Sequence, residues 1–149
     1  ARAAGARGMV GGQVLDMAGE GHALALAEVE ELQQLKTGAP ISAAAEMGCI
    51  LAGGSEDQRA AVRRYAQKLG LAFQIQDDIL DVEGDETLMG KPLGSDQENE
   101  KTTFVTLKGV ETCRELVAKL TQEAMEALSA FPDPSFLCWL AESLVGRKN

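Results

Sequence analysis

The sequence predicts an all-α protein, and three observations carry that expectation. Hydrophobic residues make up 45% of the 149 positions but aromatics only 4%, so the core is aliphatic, and the abundant Ala, Leu, Glu and Gln are helix formers. Apolar residues recur at helical spacing through most of the chain. Breaks between these stretches carry glycines and residues that cap helix ends.

The elements follow in order. A first helix spans about residues 1–18 and closes in "GEGH" at 19–22, where glycine supplies the turn. "LAEVEELQQL" at 26–35 forms a second segment. Thr37 then caps a new helix with Pro40 in its first turn, and that helix ends at Gly53 and Gly54. Ser55 and Gln58 have capping-box spacing and open the longest helix, which reaches about residue 83. Residues 84–102 are charged, glycine-punctuated and without apolar period, and so form a long loop expected to be mobile without ligand. Helical patterning returns at 103–130. Asp133 and Pro134 precede a last helix with a Leu137, Leu140 and Leu144 stripe.

The length fits one domain. A formal charge of −9 and a pI near 4.6 argue against a nucleic-acid or anionic-membrane binder, because no basic stripe is available to displace counterions from phosphates. Cys49, Cys113 and Cys138 are odd in number and widely spaced, which indicates neither a disulfide framework nor a zinc site and suits a reducing cytoplasm. No run of apolar residues is long enough for a membrane span, and no signal peptide is visible.

"FQIQDDILDV" at residues 73–82 poses the chemical question. Its apolar residues cover most of a helix circumference, the mark of a helix buried on several sides. Yet Asp77, Asp78 and Asp81 sit among them, and an unpaired carboxylate in apolar surroundings costs roughly several kcal/mol. Asp77 and Asp81 share one helix face, with Gln74 one turn earlier. One reading makes this stripe a solvated surface. The other makes it a Mg²⁺ site, because magnesium takes oxygen ligands, keeps several waters and is often held by one or two carboxylates together with substrate phosphates. A magnesium diphosphate would also explain how an acidic protein holds an anion, with Lys36, Lys91 and Lys101 taking the remaining oxygens.

"GLAFQIQDDILDVEGD", the following "GK" at 90–91 and "EKTT" at 100–103 closely resemble the second aspartate-rich region of the trans-prenyl diphosphate synthases, particularly bacterial farnesyl and geranylgeranyl diphosphate synthases. "GMVGGQVLDM" at 8–17, "LQQLKTGAPISAAAEMG" at 32–48 and the basic ending "GRKN" keep that family's order and spacing. The resemblance implies a helical bundle of the isoprenoid synthase type. It also implies an enzyme that condenses isopentenyl diphosphate with an allylic diphosphate (dimethylallyl or geranyl) to give a longer trans-prenyl diphosphate, farnesyl diphosphate foremost. Asp77 and Asp81 would hold Mg²⁺ on the allylic diphosphate, with Asp78 as a further ligand or just behind them. Lys36, Thr37, Gln74, Lys91 and Lys101 would contact that diphosphate. Phe73 would lie near isopentenyl diphosphate, and the tail at Arg147 and Lys148 would close over it.

Members of that family are about twice this length and carry a first aspartate-rich motif that is absent here, so residues 1–149 read as the C-terminal half of one synthase domain. A cytoplasmic homodimer, inactive without its N-terminal half, is the implied state. The alternatives are a non-catalytic subunit of a heteromeric prenyl synthase and an unrelated helical interaction module.

The remaining features have plainer readings. His22 is a solvated turn residue. Gly11 and Gly12 permit close helix packing, with Gln13 and Asp16 facing the cavity. Phe136 and Trp139 anchor the last helix in the core, the cysteines are small buried hydrophobes, and Glu28–Glu31 form a solvated face.

Overall fold

A computed structural model describes residues 1–83 and 100–146. Among the described residues, a short 3-10 turn at Arg2–Ala4 is followed by seven α-helices: α1 Met9–Ala18, α2 Leu26–Gln33, α3 Ala39–Leu51, α4 Glu56–Glu83, α5 Phe104–Lys108, α6 Val110–Ala127 and α7 Ser135–Val145. No strand occurs among the described residues, as the composition leads one to expect. The greater part of the expected loop, residues 84–99 with Lys91, lies outside the described residues, as does the tail with Arg147 and Lys148.

α4 is the axis of the fold. At 1.5 Å per residue its 28 residues extend for about 42 Å. Ala61, Val62, Tyr65, Ala66, Leu69, Ala72, Ile75 and Ile79 form its buried stripe, repeating at three and four residues. That stripe packs along α6 through Cys113, Val117, Leu120 and Ala124, with Phe104 and Leu128 closing the core above and below. Tyr65 ties α7 to this axis: its hydroxyl donates to the Leu137 carbonyl at 2.8 Å, and burial pushes its phenol up to about 12. The capping box opens α4 as expected, with Gln58 N donating to Ser55 Oγ at 3.2 Å and Ser55 N to Gln58 Oε1 at 2.9 Å.

Four expectations need correction. The first helix starts at Met9 rather than residue 1, since Gly5 and Gly8 would each weaken a longer helix by about 1 kcal/mol relative to Ala. Thr37 caps nothing: α2 and α3 form one continuous helical run, joined by a π turn at Gln34–Gly38 in which Ala39 N donates to Gln34 O. The proline explains the widening. An α-helical Pro40 would press its ring on the Lys36 carbonyl, and the π turn widens the backbone there. The helix expected at 103–130 is broken at Gly109, whose φ of +79° separates α5 from α6. Finally, Phe136 and Trp139 are 65% and 59% exposed. They pack on each other with ring centroids 5.8 Å apart, while Leu137, Cys138 and Leu144 turn α7 toward the core.

Candidate active site

Gln74, Asp77, Asp78 and Asp81 line a cavity of about 170 Å³, closed on other sides by Asp16 and Gly19 at the end of α1, by Leu24, by Val29, Leu32 and Gln33 of α2, by Lys36, and by Lys101–Thr103. Asp81 is only 3% exposed and Asp78 6%; Asp77 is half-buried. A solvated acidic stripe is therefore not what this helix carries.

Two close backbone approaches build the site. The π turn lies between α1 and α4. A Cβ added at Gly12 would stand 2.3 Å from Lys36 N, and one at Gly70 3.3 Å from Gly38 Cα. One helical turn beyond each glycine sits a polar partner. Asp16, four residues after Gly12, accepts a hydrogen bond from Lys36 Nζ at 2.6 Å. Gln74, four residues after Gly70, accepts through Oε1 from the Thr37 hydroxyl. Consecutive residues of the π turn are thus pinned to different helices, and Lys36 is directed into the cavity.

Lys101 enters from the other side. Its Nζ lies 3.2 Å from the same Asp16 Oδ2 and 3.5 Å from Glu20 Oε1. Thr102 holds this segment in place: its hydroxyl donates to His22 O and accepts from Leu24 N, each at 3.1 Å. His22 meanwhile stays exposed, its Nδ1 2.9 Å from Glu20 O, in keeping with its reading as a turn residue. Burial pushes the Asp16 carboxyl up, but the hydrogen bonds and charges of Lys36 and Lys101 outweigh it and hold the group below the ordinary carboxylate value. Asp16 is ionised at neutral pH.

Asp78 has work inside the fold. Its Oδ2 accepts the backbone N–H of Phe104 at 2.9 Å, where α5 begins, so this carboxylate joins α4 to the chain that follows Lys101 and Thr103. Its charge, after burial, also helps to push the nearby Cys113 thiol up. Among the described residues no group of three acidic, histidine or cysteine side chains converges as a complete metal cage. Asp77 and Asp81 instead offer a pair of carboxylates on one helix face beside an open cavity, a donor set that suits a hard divalent cation completed by water and phosphate oxygens.

The fold therefore brings Lys36, Gln74, Asp77, Asp78, Asp81 and Lys101 around one cavity, with Thr37 behind Gln74. Phe73 is half-buried on α4 and is not among the cavity's lining residues. Gln13 is exposed and borders a second, largely apolar pocket with Met9, Val10, Val14, Lys36 and Thr37, so that Lys36 lines both; of the two residues expected to face the cavity only Asp16 lines it. Glu20, Thr102 and Thr103 escaped the sequence reading. The roles of Glu20 and Thr102 come from contacts some 80 residues distant, which no local spacing announces, whereas Thr103 caps α5 through a local capping box with Thr106.

The described residues thus form an all-helical fold in which an aspartate-bearing helix and two lysines line one cavity. The chain is a member of the polyprenyl synthetase family, whose model matches residues 3–131. It is 40% identical over 150 residues to farnesyl diphosphate synthase of Geobacillus stearothermophilus, a match covering all of this chain and 50% of that protein. With farnesyl diphosphate synthase of Escherichia coli K12 it shares 42% over 155 residues, again all of this chain and 52% of the relative. Among solved structures, geranyltransferase from Helicobacter pylori, complexed with magnesium and isoprenyl diphosphate, superposes with a TM-score of 0.80 at 32% identity, over 98% of this chain and 48% of that one. The chain spans about half the length of the curated relatives it matches.

Proposed function

We propose that the protein of which these residues form part transfers prenyl groups, condensing isopentenyl diphosphate with dimethylallyl or geranyl diphosphate to give a longer trans-prenyl diphosphate, farnesyl diphosphate foremost. The observation that carries this reading is the convergence of two carboxylates, Asp77 and Asp81, and two lysines, Lys36 and Lys101, on one cavity with apolar residues in its wall. That combination suits a polyanion attached to a hydrocarbon. The family membership and the titles of the relatives support it.

In the proposed reaction the allylic carbon–oxygen bond breaks and diphosphate leaves with the electron pair. The double bond of isopentenyl diphosphate attacks the allylic cation, and loss of a proton restores an alkene. A divalent cation, Mg²⁺ in this proposal, bound by Asp77 and Asp81 would supply positive charge against the departing diphosphate. Lys36 and Lys101 donate hydrogen bonds to its remaining oxygens, which gain charge in the transition state, so these contacts strengthen as the bond breaks. Gln74, oriented by Thr37, supplies a neutral donor beside them. Leu24, Val29 and Leu32 keep water from the cation. Asp78 acts by positioning, through its bond to Phe104. Lys91 and Arg147 keep the diphosphate roles that the resemblance gives them.

We propose in addition that residues 1–149 are one half of a single synthase domain, which works as a cytoplasmic homodimer. The test is a radiolabelled isopentenyl transfer assay on the full-length protein, with chromatographic sizing of the product. Activity with an allylic diphosphate is expected to fall about 10²- to 10³-fold in Asp77→Asn and Asp81→Asn, as for other transition-state charge stabilisers. Full activity in both variants would remove them from the mechanism.

A further inference from the structure

The two lysines of the site share one counter-charge, Asp16, and Lys101 has a second in Glu20. Lys36 Nζ and Lys101 Nζ lie 2.6 and 3.2 Å from the same oxygen, Asp16 Oδ2, so the ammonium groups are near neighbours although 65 positions separate them in sequence. Two ammonium groups this close repel each other. Lys101 lies far from α1 in sequence, and its bond to Asp16 joins the two segments. Asp16 itself is fixed: its side chain is 13% exposed, and the close approach at Gly12 holds α1 against the Lys36 backbone one turn away.

We propose that Asp16 is a positioning residue for the leaving diphosphate, gathering Lys36 and Lys101 onto one side of the cavity so that two cations face the anion together. The inference rests on the reading of the cavity as a diphosphate site. Asp16 need not be displaced by the ligand. An ammonium group has three N–H donors, and Lys36 spends one on Asp16 at 2.6 Å and keeps two for phosphate oxygens. The ordering of Lys101 is then complete before the ligand arrives, and the anion meets a formed site.

A competing role would have the opposite sign. If Asp16 merely neutralised the lysines, removing its charge would strengthen anion binding. Calorimetric titration of the full-length protein with inorganic diphosphate in Mg²⁺ separates the two. Asp16→Asn is expected to weaken binding about tenfold, and in a Lys101→Met background the same substitution is expected to cost less than threefold, because Asp16 then has no second ammonium group to bring beside Lys36 and only its pair with Lys36 is left to lose. Asp16→Glu, which keeps the charge, is expected to stay within about threefold of the unsubstituted protein, whereas a general folding defect would weaken binding alike in all backgrounds. Binding unchanged or tighter in Asp16→Asn, or an equal loss with and without Lys101, overturns the inference. Failure of the unsubstituted protein to bind diphosphate at all overturns the diphosphate reading and this inference with it.

Discussion

A methyl group at position 12 would collide with backbone. The added Cβ would stand 2.3 Å from Lys36 N and 2.6 Å from Lys36 Cα, and neither atom belongs to a flexible side chain that could swing away. Gly12→Ala gains about 1 kcal/mol in helix propensity, but overpacking against backbone costs about 1–3 kcal/mol and drives α1 from the π turn. The expected outcome by thermal denaturation is a net loss of stability, accompanied by weaker diphosphate binding as Lys36 and Asp16 separate. Gly70→Ala is the milder comparison: its nearest contact, Gly38 Cα, would lie at 3.3 Å, so a shift of a few tenths of an ångström suffices and a smaller loss than at position 12 is expected. At this scale the sequence was partly legible. The Asp77 and Asp81 face and its Gln74 partner follow from helical spacing alone, because all three lie within two turns. That Asp16 serves Lys36 and Lys101 at once could not be read, since the spacing that matters there lies in folded space.

The π turn shows why the element boundaries misled. "KTGAP" carries threonine, glycine and proline, each a punctuation mark by local rules, and together they suggest that a helix stops and restarts. The chain instead continues, because packing on both sides holds the backbone helical while one wider turn accommodates Pro40. Gly109 presents the reverse case, a single glycine in an otherwise helical pattern that does break the helix. Its φ of +79° and ψ of +157° lie where almost only glycine goes. Gly109→Ala should cost about 1–3 kcal/mol in equilibrium denaturation, although nothing lies within 4 Å of the added methyl. An unchanged midpoint would mean that α5 and α6 can merge without penalty. Because Asp78 is bonded to the first residue of α5, Phe104, this break also sets how the Lys101–Thr103 segment meets the cavity.

Across the whole molecule, apolar surface is unevenly distributed. On α1, Met9, Val10, Val14, Leu15 and Met17 are between 43% and 63% exposed, and on α3 Met47, Ile50 and Leu51 are exposed as well. So many exposed large apolar side chains on two helices mark surfaces that meet something. In the proposal of a half domain, they meet the part of the synthase that accounts for the other half of the relatives' length. The fold class was legible from composition and helical period, and the family from the order and spacing of the motifs. The outward turn of Phe136 and Trp139 was not, because an aromatic pair on a short helix carries no mark of which face meets the core. The central claim is that the aspartates of α4 are tolerated in a largely apolar setting because they hold a cation that holds a diphosphate. Thermal unfolding of the full-length protein tests it most directly. Mg²⁺ and inorganic diphosphate together, at about a hundred times the dissociation constant, should stabilise by about 2.7 kcal/mol and raise Tm by about 5 °C, and the rise should vanish in an Asp77→Asn, Asp81→Asn double variant. No rise in the unsubstituted protein, or an equal rise in the variant, would contradict it.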